Sequence, residues 1–244
     1  MEVHHHSGGH HEDKSFKDYF LEFLMIFLAV SMGFLAENLR EYITDKNHVE
    51  ELAGQLREDL SNDTTHLTRL IAFQQVQVRR ADSLYAILIL PQNQIDYRKL
   101  QDMIVSCERI DFFYPSTGAI STIKKDLHLR KFVKNKIAMH IDLYEKGVSL
   151  LEKFEARDID YMGKYLESFI SSHFTPENAA VAVTRTPVVN GNLRNLRPED
   201  LIQLSVDISL IKAYNLRLIS LYQGVKDNAS QFIQHINITY NPEN

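Results

Sequence analysis

The stretch from Tyr19 to Ala36, YFLEFLMIFLAVSMGFLA, constrains this chain more than any other feature, because it decides which solvent the first helix meets. Lys14, Lys17 and Asp18 bound it on one side, and Glu37, Arg40 and Glu41 on the other. As a helix its eighteen residues reach about 27 Å, just short of a hydrocarbon core of about 30 Å. Its ten Leu, Ile, Phe and Val residues favour insertion by roughly 3–6 kcal/mol together. Glu22 opposes insertion, at a cost of about 3 kcal/mol were it at the bilayer centre. It lies near one end, where a carboxylate reaches water or takes up a proton, so insertion wins narrowly. A helix apolar on every face is either deeply buried in protein or surrounded by lipid. A cleaved secretory signal is the third reading, disfavoured by the length of the run and by the poor cleavage site around Ala36-Glu37-Asn38. The expectation is an uncleaved transmembrane helix.

Orientation rests on a narrower argument. Lys14 and Lys17 on one flank balance Arg40 and Lys46 on the other. A short tail with two lysines close to the membrane stays cytoplasmic, which places the C-terminal domain in the periplasm, outside an inner membrane. The single cysteine, Cys107, excludes an intramolecular disulfide and fits either compartment. Net charge is −5 with both signs spread along the length, so no basic face argues for nucleic acid.

Nine glycines and six prolines in 244 residues, with long runs rich in Leu, Ile, Lys, Glu and Gln, indicate an all-α protein. Residues 1–15 form a polar, His-rich tail expected to be disordered, residues 16–43 the transmembrane helix and its flank, and residues 44–244 a helical bundle domain. Val49, Leu52, Leu56, Leu60, Leu67, Leu70, Val78, Ala81, Tyr85 and Leu88 keep steps of three, four, seven or eight, the stripe of an amphipathic helix. Asp63 and Gln74 fall on that stripe, which favours a bundle over a free coiled coil. Thr44 to His48 is the weakest stretch and a candidate hinge, and Pro91 ends the helix.

Asp96 is placed to cap a helix running to about Phe113, with a junction at Pro115-Ser116. A short helix (about 117–125) and a long one (about 127–156) follow. The long one carries Leu129, Phe132, Val133, Ile137, Ile141, Tyr144, Val148 and Leu151 as its apolar stripe. Asp158 is read as the cap of another helix reaching about Ser172. Residues 173–197, with Pro176, Pro187 and Gly191, read as a long loop. Pro198, Glu199 and Asp200 open a last helix that carries Leu201, Leu204, Ile208, Ile211, Leu218, Leu221, Val225, Phe232 and Ile236. Long helices with short connections predict an antiparallel bundle behind the transmembrane helix.

Met1-Glu2-Val3-His4-His5, Glu22-Phe23-Leu24-Met25-Ile26-Phe27-Leu28-Ala29-Val30 and Phe34-Leu35-Ala36-Glu37-Asn38-Leu39-Arg40-Glu41 resemble a family of uncharacterised bacterial membrane-anchored proteins. Asp59-Leu60 with Asp63-Thr64, and the stretch from Ser116 through Leu129-Arg130 to Tyr144, are similar to a related single-pass group. The resemblance covers most of the chain loosely and residues 19–64 more specifically. It implies one span and a helical domain, and no activity. It also implies that the histidines are native.

Few residues point to chemistry. His4, His5, His6, His10 and His11 could hold a divalent ion such as Zn²⁺, Ni²⁺ or Cu²⁺, although the intervening Gly and Ser leave the site poorly preorganised, and a solvated tail is the plainer reading. On a helix, Ala29, Gly33 and Ala36 fall within about 40° of Glu22. Small residues at that spacing let two helices approach, and the Glu22 carboxyl can bond across the contact. That face predicts self-association or pairing with another membrane protein, against the plainer reading of a carboxylate reaching the interface. Lys124, Lys125, Arg130, Lys131, Lys134 and Lys136 form the densest basic run, read as a solvated face or a rest on anionic lipid. His66, His128, His140, His173 and His235 stand singly and read as structural, and Cys107 as core. There is no HExxH, GxSxG, Walker loop, paired CxxC or GxGxxG. The expectation is therefore a non-enzymatic, cofactor-free membrane protein that binds a partner or scaffolds a complex, with the lipid bilayer as its first partner. The alternative is an extracytoplasmic sensor whose bundle takes a ligand and signals through the span.

Overall fold

The computed structural model describes residues 15–125, 135–184 and 186–240. Among these the chain is all-helical: α1 (Phe16–Leu88), a single 3₁₀ turn (Gln92–Gln94), α2 (Tyr97–Cys107), α3 (Gly118–Lys125), α4 (Asn135–Met162), a π-helical turn (Gly163–Glu167), α5 (Ser168–His173), α6 (Pro176–Thr184) and α7 (Pro198–Tyr240). The only strand-like pairing among them is an isolated bridge between Phe174 and Leu193. Two compact units divide at Val49 and Glu50.

In the first unit, α1 contains one window long and apolar enough to cross a membrane, with a mean hydropathy of 2.0 and none of it buried. Phe20, Phe23, Met25, Ile26, Phe27 and Leu28 are all exposed. Residues 44–48 carry helical backbone, so the candidate hinge is not a break in the helix.

The second unit is organised by a heptad that the apolar residues only partly reveal. Besides Val49, Leu52 and Ile87, the buried positions along α1 are Ala53, Leu56, Leu60, Asp63, Leu67, Leu70, Gln74, Gln77, Ala81, Leu84 and Leu88. Their steps alternate between three and four residues throughout. The same alternation holds on α4 (Ile137, Ile141, Tyr144, Val148, Leu151, Glu155, Asp158, Met162) and on α7 (Leu201, Leu204, Ile208, Ile211, Asn215, Leu218, Tyr222, Val225, Ala229, Phe232, Ile236). A burial period of 3.5 is the seam geometry of coiled-coil packing. This corrects the expected stripes. Gln74 lies on the seam as expected, but beyond it Gln77 replaces Val78, Leu84 replaces Tyr85, and Tyr222 replaces Leu221.

Side-chain contacts register the helices. His140 meets Phe232, a Cβ on Gly147 would lie 3.3 Å from Val225, Arg217 lies over Phe154, and Tyr161 meets Tyr214. Numbers rise along α4 as they fall along α7. On α1, Asp82 pairs with Lys212 while Asp63 bonds to Tyr144.

Several predicted boundaries move, each for a visible reason. Asp96 does cap α2, its Oδ1 accepting from the backbone N–H of Arg98 at 3.0 Å and of Lys99 at 3.1 Å. α2 nevertheless ends at Cys107 and not near Phe113, and α1 side chains take carbonyls at and just beyond that end. Gln77 Nε2 donates to Arg109 O at 2.5 Å, and Arg80 Nη1 donates to Ser106 O at 3.1 Å. Asp158 is not a cap: α4 passes through it to Met162, and the residue faces the core. The expected loop 173–197 contains a nine-residue helix, α6. The predicted start of the long helix near 127, with Leu129, Phe132 and Val133, lies outside the described residues.

The return from α6 to α7 is held by amides as well as by apolar packing of Val188, Leu193 and Leu196. Buried Asn178 on α6 donates to Gln101 Oε1 and to Asn190 O, both at 2.9 Å, and accepts from Val189 N at 3.1 Å. Gly191 passes so close to α2 that a Cβ there would lie 3.1 Å from the backbone nitrogen of Arg98. Gly191→Ala is therefore expected to destabilise the protein by about 1–3 kcal/mol, read as a lowered urea midpoint at unchanged slope.

Candidate functional site

Polar side chains enter the seam of the second unit at several levels. At the lowest-numbered level of α1, the Asp63 carboxylate accepts from Ser116 N at 3.0 Å, from Ser116 Oγ at 3.0 Å and from the Tyr144 hydroxyl. Asp59 accepts from Ala119 N at 3.3 Å. Two α1 carboxylates thus serve the N-terminus of α3, whose free N–H groups need acceptors. Burial pushes the Asp63 carboxyl up, against the hydrogen bonds that favour its charge, and burial together with Asp63 pushes the Tyr144 hydroxyl up.

A second level centres on Glu155, which accepts from Phe113 N at 2.9 Å and from Tyr222 Oη at 2.7 Å. Its carboxyl is also raised by burial. Asp158, one turn further along, is 2% exposed, and burial raises its carboxyl to about 6, with the neighbouring Glu155 charge adding to the effect. Asp158 Oδ1, Gln74 Oε1 and Asn215 Oδ1 are buried without a donor among the described residues. Unpaired acceptors in a core are costly, and a neutral Asp158 costs least there.

The open site lies where α4 gives way to the π turn. Inserting Gly163–Glu167 shifts the helix phase, so that Leu166, Phe169 and Ile170 continue the core after Met162. Beside this turn an open cleft of about 300 Å³ lies between it, α5 and the start of α7. One wall carries Lys164, Tyr165, Ser168, Phe169, Ser172 and His173, and the other carries Asp200, Gln203, Leu204 and Asp207. Lys164 Nζ sits 5.1 Å from the centre of the Tyr165 ring. Asp200 is already neutralised. It accepts from the backbone N–H of Arg197 at 2.9 Å and pairs with its guanidinium at 2.9 Å, and these bonds hold its carboxyl down at about 2. Asp207 is 7% exposed, and its one side-chain partner is Gln203 Nε2 at 2.9 Å. The cleft thus presents a nearly buried carboxylate that, among the described residues, is paired with neither Lys164 nor His173.

The residues singled out from the sequence fall elsewhere. Glu22, Ala29, Gly33 and Ala36 lie exposed on α1 in the first unit, and a Cβ on Gly33 would meet open space. His4, His5, His6, His10 and His11 lie outside the described residues, as do His128, Arg130, Lys131 and Lys134. Lys124 pairs with Glu145 at 2.9 Å, while Lys125 and Lys136 are exposed. His66 meets the Phe113 ring, His173 the Phe169 ring, and His140 both Phe232 and His235. Burial pushes the His140 imidazole down, and the neighbouring His235 adds to this. Cys107 is buried and its thiol is pushed up to about 11, unfavourable for a nucleophile. Among the described residues no group of three or more His, Cys, Asp or Glu could hold a metal ion. The cleft escaped the sequence reading because its parts are ordinary polar residues on two elements. The only sequence signal was Asp207 adjoining the apolar Ile208 on an otherwise regular stripe.

No protein-family model, no curated protein and no solved structure matches the chain. The arguments for its role are therefore those of its own residues.

Proposed function

We propose that this chain is a single-pass membrane protein whose residues 44–244 form an antiparallel helical bundle outside the inner membrane, with the His-rich tail in the cytoplasm. In this reading it works without catalysis, by binding a partner or scaffolding a complex. The observation that carries the anchor is the apolar window of α1, none of which is buried by the rest of the chain. So large a continuous apolar surface is not left facing water, and lipid is the covering that matches its length. The resemblance of residues 19–64 to bacterial membrane-anchored proteins supports the same reading.

The test is fractionation of the full-length protein. It is expected to stay in the membrane pellet through a carbonate wash and to be released only by detergent, with residues 1–36 retained by mass. Release without detergent overturns the anchor, and loss of the segment makes it a signal sequence. Pairing through Glu22, Ala29, Gly33 and Ala36, with a second copy or another membrane protein, completes the proposal. Gly33→Ile is expected to cut the cross-linked species in membranes several-fold, since a bulky side chain separates the helices. Unchanged cross-linking rejects that face.

One observation favours a second reading, in which the bundle is a sensor. The cleft beside the π turn is open to solvent, is walled by both charged and aromatic groups, and is large enough for a small molecule.

A further inference from the structure

We propose that the cleft between the π turn and the start of α7 binds the ammonium group of a small amine-bearing molecule, with Asp207 as its counter-ion. This names the ligand class for the sensor reading and rests on that reading only for its biological use.

A carboxylate removed from water needs a cation or several donors to offset its lost hydration. Asp207 has one neutral donor, Gln203 Nε2 at 2.9 Å, and is 7% exposed. Two basic side chains line the cleft, Lys164 over the Tyr165 ring at 5.1 Å and His173 against the Phe169 ring at 4.6 Å, and among the described residues neither forms an ion pair with Asp207. The neighbouring carboxylate, Asp200, is bound to Arg197 through both oxygens. Of the two acids among the described residues that line the cleft, Asp207 is thus the one left for an incoming charge.

Size restricts the ligand. A cleft of about 300 Å³ stands at the lower end of the range for small-molecule sites. It suits a compound of amino-acid or short diamine size and excludes a folded segment. The π turn supplies an independent reason to look here, because such insertions in α-helices concentrate at functional positions. It also ties the cleft to the seam: Leu204 lines the site and packs in the same core as Met162 and Leu166. An ammonium drawn toward Asp207 therefore acts on side chains that fix α4 against α7.

The test titrates detergent-solubilised full-length protein by calorimetry and thermal melting with three probes: putrescine, L-leucine and sodium acetate. At least one of the two amines is expected to bind saturably and raise the melting temperature, whereas acetate does neither. Asp207→Asn is expected to weaken that binding at least tenfold, and Asp142→Asn, at an exposed position of α4, to leave it unchanged. Ser168→Phe, which fills the cleft from the opposite wall without touching Asp207, is expected to abolish binding while the fold melts normally. Putrescine alone assigns a diamine. Leucine alone assigns a zwitterion, and Lys164→Ala then weakens it as well. Absence of binding by both amines, or equal binding to Asp207→Asn, overturns the site. Binding with no downstream response overturns the sensor reading and leaves the site standing.

Discussion

Replacing Asp158 by asparagine is expected to stabilise the protein at neutral pH and to flatten its dependence on pH between 4 and 7. Asp158 lies at a seam position of α4, where burial and the Glu155 charge raise its carboxyl from the ordinary 3.8 to about 6. A raised value means that the folded state prefers the neutral acid. Its contribution to stability is fully present below about pH 4 and is lost as pH rises through about 6. The loss amounts to about 3 kcal/mol at neutral pH. For a domain of this size that is a melting difference of about 5–10 °C. Asp63 and Glu155 are also raised by burial and act in the same direction. Asp200, held low by Arg197, acts in the opposite sense: its contribution is present above pH 4 and disappears as pH falls toward 2. Melting scans of the wild type and Asp158→Asn at pH 4.5 and 7.5 check the point. The curves should converge in acid and separate at neutrality, and equal separation at both values refutes the assignment.

Asp63→Ala should be among the most damaging single changes in the second unit. It leaves a buried Tyr144 hydroxyl, the Ser116 hydroxyl and the Ser116 N–H without their shared acceptor. Each stranded buried donor costs about 1–3 kcal/mol, and the total expected is about 3–5 kcal/mol after local relaxation. Truncating a fully buried seam leucine such as Leu67 has an expected cost in the same range, about 2–5 kcal/mol, but by a different mechanism, since it opens a cavity. The two are told apart by a partner substitution. Tyr144→Phe in the Asp63→Ala background should recover part of the loss, because the stranded hydroxyl is removed with its acceptor. Denaturant melts of the two single variants and the double variant supply the cycle. A double variant no better than strict addition would mean that Asp63 and Tyr144 do not act as a pair.

These polar positions also explain where sequence reading stopped. Leu56, Leu60, Leu67 and Leu70 announce α1, and Leu201, Leu204, Ile208 and Ile211 announce α7, because apolar residues at helical spacing have few other uses. Gln77, Glu155, Asp158 and Asn215 are equally part of the seam, yet their side chains suit water as well as a core. Only the helices packed around them reveal their burial. The same holds for Asn178, whose amide network turns an apparent loop into α6 with an ordered return.

What the residues determined alone was the apolar window at 19–36, the all-helical character and the approximate course of the long helices. These follow from local periodicity and from transfer of apolar surface out of water. Tertiary structure decided the phase of each seam, the end of α2 at Cys107, the passage of α4 through Asp158 and the cleft at Asp207. Each depends on which groups from distant parts of the chain arrive as neighbours. A carboxylate or amide takes its role from those neighbours, whereas a leucine largely carries its role with it.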